Sequence, residues 1–296
     1  MRCPDFLLIG AMKAGTTSLF DDLNANRRVF FPSVKEPGNL MSDYTLTEEG
    51  QGEYAALFAE CGEDDVAGEA STYYTMLPEH QGVPRRARKV LSDGAKLIYI
   101  VREPVARTLS HHRHSVYWWN ADPEIGDAIR NDARIVNYGR YATQIRPWVD
   151  EFGVERLLVI RFEDYIVDRK ATVGTVLSFL GVSSDQVETA VGDGSNRSDE
   201  IRVANRAARG FVQGRFYQRR IRPLLGEGIR EAGKRFLCRK PHRRIPPMSR
   251  DTALYLIDEL YAEAEEFAGL ISWEGVLWNR QEAEEKYMRT NDKAQL

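Results

Sequence analysis

The chain has 296 residues, 43% of them hydrophobic, and a formal net charge of −3, enough length and apolar content for one large α/β domain or two small ones. Three cysteines, Cys3, Cys61 and Cys238, show no CxxC spacing, which argues against a disulfide framework or a zinc site and favours a reducing compartment. No apolar run approaches the length of a membrane span (about 18 residues), and the opening stretch lacks a signal peptide's flanks, so the sequence predicts a soluble, cytoplasmic protein.

In chain order, Phe6–Ala11 is a short apolar run that reads as a buried strand, followed by a small-residue loop and a helix over Thr16–Asn26. A weaker strand is expected at Val66–Ser71, then stronger ones at Lys96–Val101 and Leu157–Phe162. Between and after them, helices are expected at Val105–Trp119, Tyr138–Phe152 and Thr172–Leu180, the last stopped by Gly181. Strands alternating with helices predict right-handed βαβ units and a mostly parallel sheet flanked by helices, a three-layer α/β fold that is P-loop-like in its first unit. Residues 196–250 hold 16 Lys and Arg against 4 Asp and Glu, a local +12 that leaves about −15 elsewhere. Such a block suits a polyanion or a solvated surface. Possible helices there break near Pro223 and Pro241, and an amphipathic helix over about Ser249–Ala268 carries Leu254, Ile257, Leu260 and Tyr261 at helical spacing. There is no internal repeat or low-complexity linker. One domain over 1–296 is therefore expected, an α/β core to residue 182 with a helical C-terminal elaboration from 183.

The loop after the first strand runs Gly10-Ala11-Met12-Lys13-Ala14-Gly15-Thr16-Thr17-Ser18. Backbone N–H groups at such a strand-to-helix turn converge on an anion, the helix N-terminus adds partial positive charge, and Lys13 supplies a full one. A Walker A loop needs lysine directly after its second glycine; here Thr16 stands there and Lys13 lies inside the loop. That weakens a nucleotide-triphosphatase reading, and G-x-G-x-x-G is absent too. The plain alternative is a structural turn with Lys13 solvated. Further on, Arg102 follows a strand's carboxyl end, where ligands of parallel sheets gather, and its planar fork suits a phosphate. Pro104 fits a helix's first turn. Ser110, eight residues past Arg102, lies about two turns into that helix and offers a hydroxyl. An ordinary ion pair is the alternative for Arg102; Arg107 reads as a surface or helix-packing residue.

These segments resemble the PAPS-dependent sulfotransferases, in particular the branch that includes the heparan sulfate enzymes and many bacterial relatives. Ile9 to Leu19 resembles that family's 5′-phosphosulfate loop, and Leu97 through Val101-Arg102-Glu103-Pro104 to Ser110 and His112 resembles its 3′-phosphate segment. Weaker likenesses are Gly68–Tyr73, Arg161–Tyr165, Phe179–Val182 and, loosely, Leu277-Trp278, so the resemblance covers roughly residues 5–182. It implies PAPS as donor and its 3′,5′-bisphosphate (PAP) as product. The implied donor-binding set is Lys13, Ala14, Gly15, Thr16, Thr17, Ser18, Arg102, Ser110 and Arg197. Lys13 is implied to stabilise the leaving bridging oxygen. The catalytic base of the heparan branch lies in a K-E-P-x-F-F stretch; the matching Lys35-Glu36-Pro37-Gly38-Asn39-Leu40 makes Glu36 the expected base, with Asn39 and Leu40 in place of the aromatic pair. Asp43 is the next acidic candidate, and Lys35 is expected at the sulfate or in solvent. That branch also has a disulfide-stabilised hairpin late in the chain, which this sequence lacks.

No clustered carboxylates call for a metal, and none is expected. His111 and His114 share a helix face whereas His112 points elsewhere, so a surface or cleft-lining role is expected over metal ligation. Tyr117, Trp118 and Trp119 are expected in the core or in a wall of the acceptor cleft. The acceptor is then a hydroxyl or amine of a carbohydrate, lipid or small natural product. Two other readings stay open: an ATP-dependent phosphotransferase with an atypical P-loop, and a polyanion- or nucleic-acid-binding protein using residues 196–250, although no nucleic-acid partner is expected.

Overall fold

A computed structural model describes residues 2–183, 187–190, 203–204, 238–239 and 244–292. Its centre is a five-stranded sheet, all parallel, of β1 (Phe6–Gly10), β2 (Val29–Phe30), β3 (Val66–Ala70), β4 (Lys96–Val101) and β5 (Leu157–Arg161) in the order β2-β3-β1-β4-β5. Every residue of β1 is buried, as is all of β4 after Lys96. A strand covered on both faces must be apolar on both, which is why these runs show no alternation. Phe6 pairs with Gly68 on one side and Lys96 on the other, so β1 is the middle strand. Gly68 is required there, because a Cβ would sit 2.2 Å from the Phe6 ring.

Leu7 and Ile9 point to one face, where they join Leu97 and Tyr99 in a core with α2 (Glu48–Ala56), α3 (Val83–Val90), and α7 (Tyr141–Phe152). Phe6 and Leu8 point to the other, packing with Ile98 and Ile100 against α1 (Thr16–Asn24) and α9 (Arg169–Leu180). The three layers follow from the period-2 geometry of the strands. A further apolar cluster unites α4 (Pro104–Trp119), α5 (Ile125–Asn131) and α6 (Arg134–Asn137) with the C-terminal helices α10 (Arg250–Leu270) and α11 (Arg280–Asp292). The short α8 (Phe162–Val167) links β5 to α9. A separate two-residue antiparallel ladder joins Val203–Ala204 to Cys238–Arg239.

The expected strands and helices are present with shifted ends, except the possible helices near Pro223 and Pro241, which lie outside the described residues. α9 starts at Arg169 rather than Thr172 because the Asp168 carboxylate caps it, accepting from Ala171 N at 2.9 Å. α7 starts at Tyr141 rather than Tyr138, and β5 ends one residue before Phe162, which opens α8. On α10 the buried stripe is Ala253, Leu256, Ile257, Leu260 and Tyr261; Leu254 faces outward instead. α2 contains two glycines and shows no amphipathic pattern, whereas α3, Val-Pro-Arg-Arg-Ala-Arg-Lys-Val, is amphipathic, with Val83 and Ala87 buried and Arg85 and Lys89 exposed; neither was among the expected helices. Tertiary contacts settle them: Arg86 of α3 is buried, donating to the carbonyls of Leu40, Met41 and Gln81 and to Asp43. Among the described residues no helix is long and apolar enough to cross a membrane, and Cys3 and Cys61 are free thiols.

Candidate active site

β1 delivers the chain to the carboxyl edge of the sheet between β3 and β4, where a crevice opens. Gly10 is extended past the range of L residues (φ 148°), and a Cβ there would lie 2.1 Å from the hydroxyl oxygen of Thr75, which donates to the Ile9 carbonyl at 2.8 Å. Gly15 (φ 98°) ends the loop against the Phe162 ring, 2.7 Å from where a Cβ would be. No side chain caps α1, so the amides of its first turn are left for a ligand. Lys13, also left-handed at φ 70°, projects into a cavity of about 1080 Å³. Burial, reinforced by the positive charges of Arg102 and Arg107, lowers its pKa from the ordinary lysine value.

Arg102 enters from the end of β4. Its backbone is gripped by the Tyr141 hydroxyl, which donates to the Arg102 carbonyl (2.7 Å) and accepts from its N–H (3.1 Å). The guanidinium lies over the Phe162 ring, 4.8 Å from the centroid. Glu103 then caps α4, accepting from Val105 N and Ala106 N at 3.0 and 2.7 Å, and Ser110 faces the same cavity two turns on. Arg107, expected at a surface or in helix packing, is fully buried. It donates to the Ile135 carbonyl, the Thr108 hydroxyl and His111 Nδ1, all neutral, and burial lowers its pKa to about 10. Lys13 and Arg102 line the cavity beside the first turn of α1, a donor set that fits a phosphorylated anion, and the Arg107 charge lies buried behind them without lining the cavity.

Glu36 lines the cavity too. Held at φ 52°, it accepts from the Thr72 hydroxyl at 2.7 Å and from Thr72 N at 3.4 Å. Its charge adds to burial in raising the Tyr73 pKa.

The family is decided by the sequence as a whole: residues 3–195, about two thirds of the chain, match the family model for the sulfotransferase domain. The chain belongs to the PAPS-dependent sulfotransferase family. Among curated proteins it is 31% identical over 115 residues to the membrane-associated sulfotransferase kil1 of Dictyostelium discoideum, covering 39% of this chain and 24% of that protein. It is 26% identical over 190 residues to human heparan sulfate glucosamine 3-O-sulfotransferase 6, covering 61% and 53%. The chain therefore spans about half, or less, of the length of these relatives. A crystal structure of a sulfotransferase from Alicyclobacillus acidocaldarius shares the fold, with TM-score 0.63 and 21% identity over 92% of this chain and 97% of the other.

Of the residues singled out in this member of the family, Lys13, Gly15, Thr16, Thr17, Ser18, Glu36, Arg102 and Ser110 all meet in one cavity. The Ala14 methyl does not; it lies in the core, and Ala14 N donates to the Ala11 carbonyl. Lys35 bonds the Thr17 hydroxyl (3.1 Å) and covers the Phe20 ring. Asp43 is exposed and paired with Arg86 at 3.0 Å. Arg197 lies outside the described residues, as does most of 196–250.

His111, His114 and Trp119 line the cavity, whereas His112 is buried, its Nε2 2.8 Å from the Asp122 carbonyl. Burial, with nearby positive charge, lowers the pKa of His111 to about 2 and of His114 to about 4, so both rings are neutral. A guanidinium can only donate, so His111 Nδ1 is the acceptor and its proton sits on Nε2. Among the described residues no cluster of His, Cys, Asp and Glu is arranged to hold a metal.

Sequence reasoning missed Phe162, Tyr165 and Arg169 as cavity residues. Tyr165 and Arg169 are anchored by Asp22 of α1, itself fully buried. The only sequence signal was the Arg161–Tyr165 likeness.

Proposed function

We propose that this enzyme moves a sulfuryl group from PAPS to a hydroxyl or amine by in-line displacement, with Glu36 as base and Lys13 at the leaving side. The observation that carries the reading is the convergence of Lys13, Glu36 and Arg102 on one cavity. PAPS, when bound, supplies an activated sulfur whose bond to the 5′-phosphate oxygen breaks as the bond to the acceptor oxygen or nitrogen forms. The first-turn amides of α1 and Lys13 would neutralise charge collecting on that leaving oxygen. Arg102 and Ser110 would take the 3′-phosphate, which fixes the register of the donor. Glu36, oriented by its two hydrogen bonds from Thr72, would accept the acceptor's proton.

The acceptor is a carbohydrate, lipid or small natural product. Rings of Tyr73, His111, His114, Trp119 and Tyr138 surround the remaining cavity and offer flat apolar surface beside polar edges. The free thiols suit a cytoplasmic enzyme.

Titration calorimetry with PAP, ATP and DNA, beside a labelled-PAPS transfer assay over a panel of acceptors, tests this. PAP alone should bind tightly. Lys13→Ala and Arg102→Ala should each weaken PAP at least tenfold, and Glu36→Gln should retain PAP binding while losing transfer. Full turnover by Glu36→Gln would remove it as base; ATP binding in preference to PAP would overturn the donor assignment.

A further inference from the structure

The residues that hold Arg102 are themselves held by a part of the chain beyond the 3–195 span of the family match. Trp278, between α10 and α11, does this twice. Its indole N–H donates to Glu163 Oε2 at 3.2 Å, and the other oxygen of that carboxylate accepts the Glu103 N–H at 2.9 Å. Its ring lies against Tyr141, with centroids 5.7 Å apart, and Phe267 of α10 packs on the same ring at 5.7 Å. Tyr141 is the residue whose hydroxyl clasps both the N–H and the carbonyl of Arg102. Two peptide groups, at Arg102 and Glu103, therefore depend on partners that Trp278 braces.

The side chain of Glu103 is tied to the same helices. Besides capping α4 it accepts the hydroxyls of Tyr261 on α10 (3.1 Å) and Tyr287 on α11. Both tyrosines are largely buried, and burial together with the Glu103 charge raises their pKa values, so the hydroxyls stay protonated donors. A carboxylate with four donors is fixed in place, and it fixes the turn from β4 into α4. Arg102 is the residue just before it.

We propose that the C-terminal helix pair is a brace for the donor site, in which Trp278, acting through Tyr141 and Glu163, and Tyr261 and Tyr287, acting through Glu103, are positioning residues that aim Arg102 at the donor's 3′-phosphate. The inference rests on the reading that Arg102 takes that phosphate. Its physical content is that a guanidinium fork loses bidentate contact when its backbone swings by a fraction of an ångström.

The test compares two ligands on the full chain: PAP, and adenosine 5′-monophosphate, which lacks the 3′-phosphate. Trp278→Phe keeps a ring against Tyr141 and removes the N–H; Tyr261→Phe and Tyr287→Phe remove only a hydroxyl. Each variant should lose about three- to tenfold in PAP affinity and leave the monophosphate unchanged, and the Tyr261→Phe/Tyr287→Phe double variant should lose more. A merely structural role would weaken both ligands alike or neither, and either result overturns the brace. Arg102→Ala is the control for the underlying reading. If it leaves the preference for PAP over the monophosphate intact, the donor assignment fails; if it abolishes the preference while the three variants keep it, only the brace fails.

Discussion

Replacing Asp22 by alanine should cost far more than its distance from any reacting atom suggests. Its carboxylate is fully buried on α1 and accepts from the Tyr165 hydroxyl at 2.6 Å, Arg169 Nε and Nη2 at 3.1 and 2.5 Å, and Ala190 N at 2.9 Å. The Arg169 side chain is 26% exposed. Asp22→Ala would leave that guanidinium mostly desolvated without its carboxylate, and the hydroxyl without its acceptor. Breaking such a buried pair costs about 3–5 kcal/mol. For a chain of this size each kcal/mol moves the Tm by roughly 2–4 °C, so a drop on the order of 10 °C is expected in a thermal scan. Asp22→Asn, which keeps an acceptor but removes the charge, should fall between. Since Tyr165 and Arg169 line the cavity, PAP affinity should fall with Asp22→Ala even well below the Tm. A Tm drop under 2 °C would refute the claim that this carboxylate is a structural anchor of α8 and α9.

Two other outcomes follow from single contacts. Gly15→Ala places a methyl 2.7 Å from the Phe162 ring at a φ of 98°; it should cost about 1–3 kcal/mol in urea unfolding and weaken PAP, because the displaced ring is the platform under Arg102. His111 has a folded pKa of about 2 against an ordinary 6.5. The unfolded chain therefore binds a proton below pH 6.5 that the folded one does not, and stability present above pH 6.5 is lost as pH falls. Between pH 7 and 5 the wild type should lose about 1–2 kcal/mol more than His111→Gln, read from urea midpoints; equal losses would show that the imidazole is not held neutral.

Much of the backbone around the cavity was legible in the sequence because local chemistry dictates it. An apolar run ending in Gly10, the Lys13 and Gly15 spacing, and Arg102 before Glu103-Pro104 each state a strand end and a helix start within a few residues, and the folded chain has both. Glu36 was legible only through the family likeness; its hydrogen bonds come from Thr72, 36 residues away. α2 carries no amphipathic period, and α3 packs its apolar positions into only eight residues; both are held where Tyr54 and Arg86 find partners in other segments.

The sequence by itself determined which residues could carry the chemistry, since backbone conformation at glycines, strand burial and helix starts are short-range properties. Only the tertiary structure decided that Phe162 would become the floor beneath Arg102, that Asp22 would hold Arg169 at the cavity, and that Trp278 and Tyr287 would reach back to Glu163 and Glu103. Those pairings join residues more than 55 positions apart, and their energy is realised only once the sheet has brought both ends into the same water-poor space.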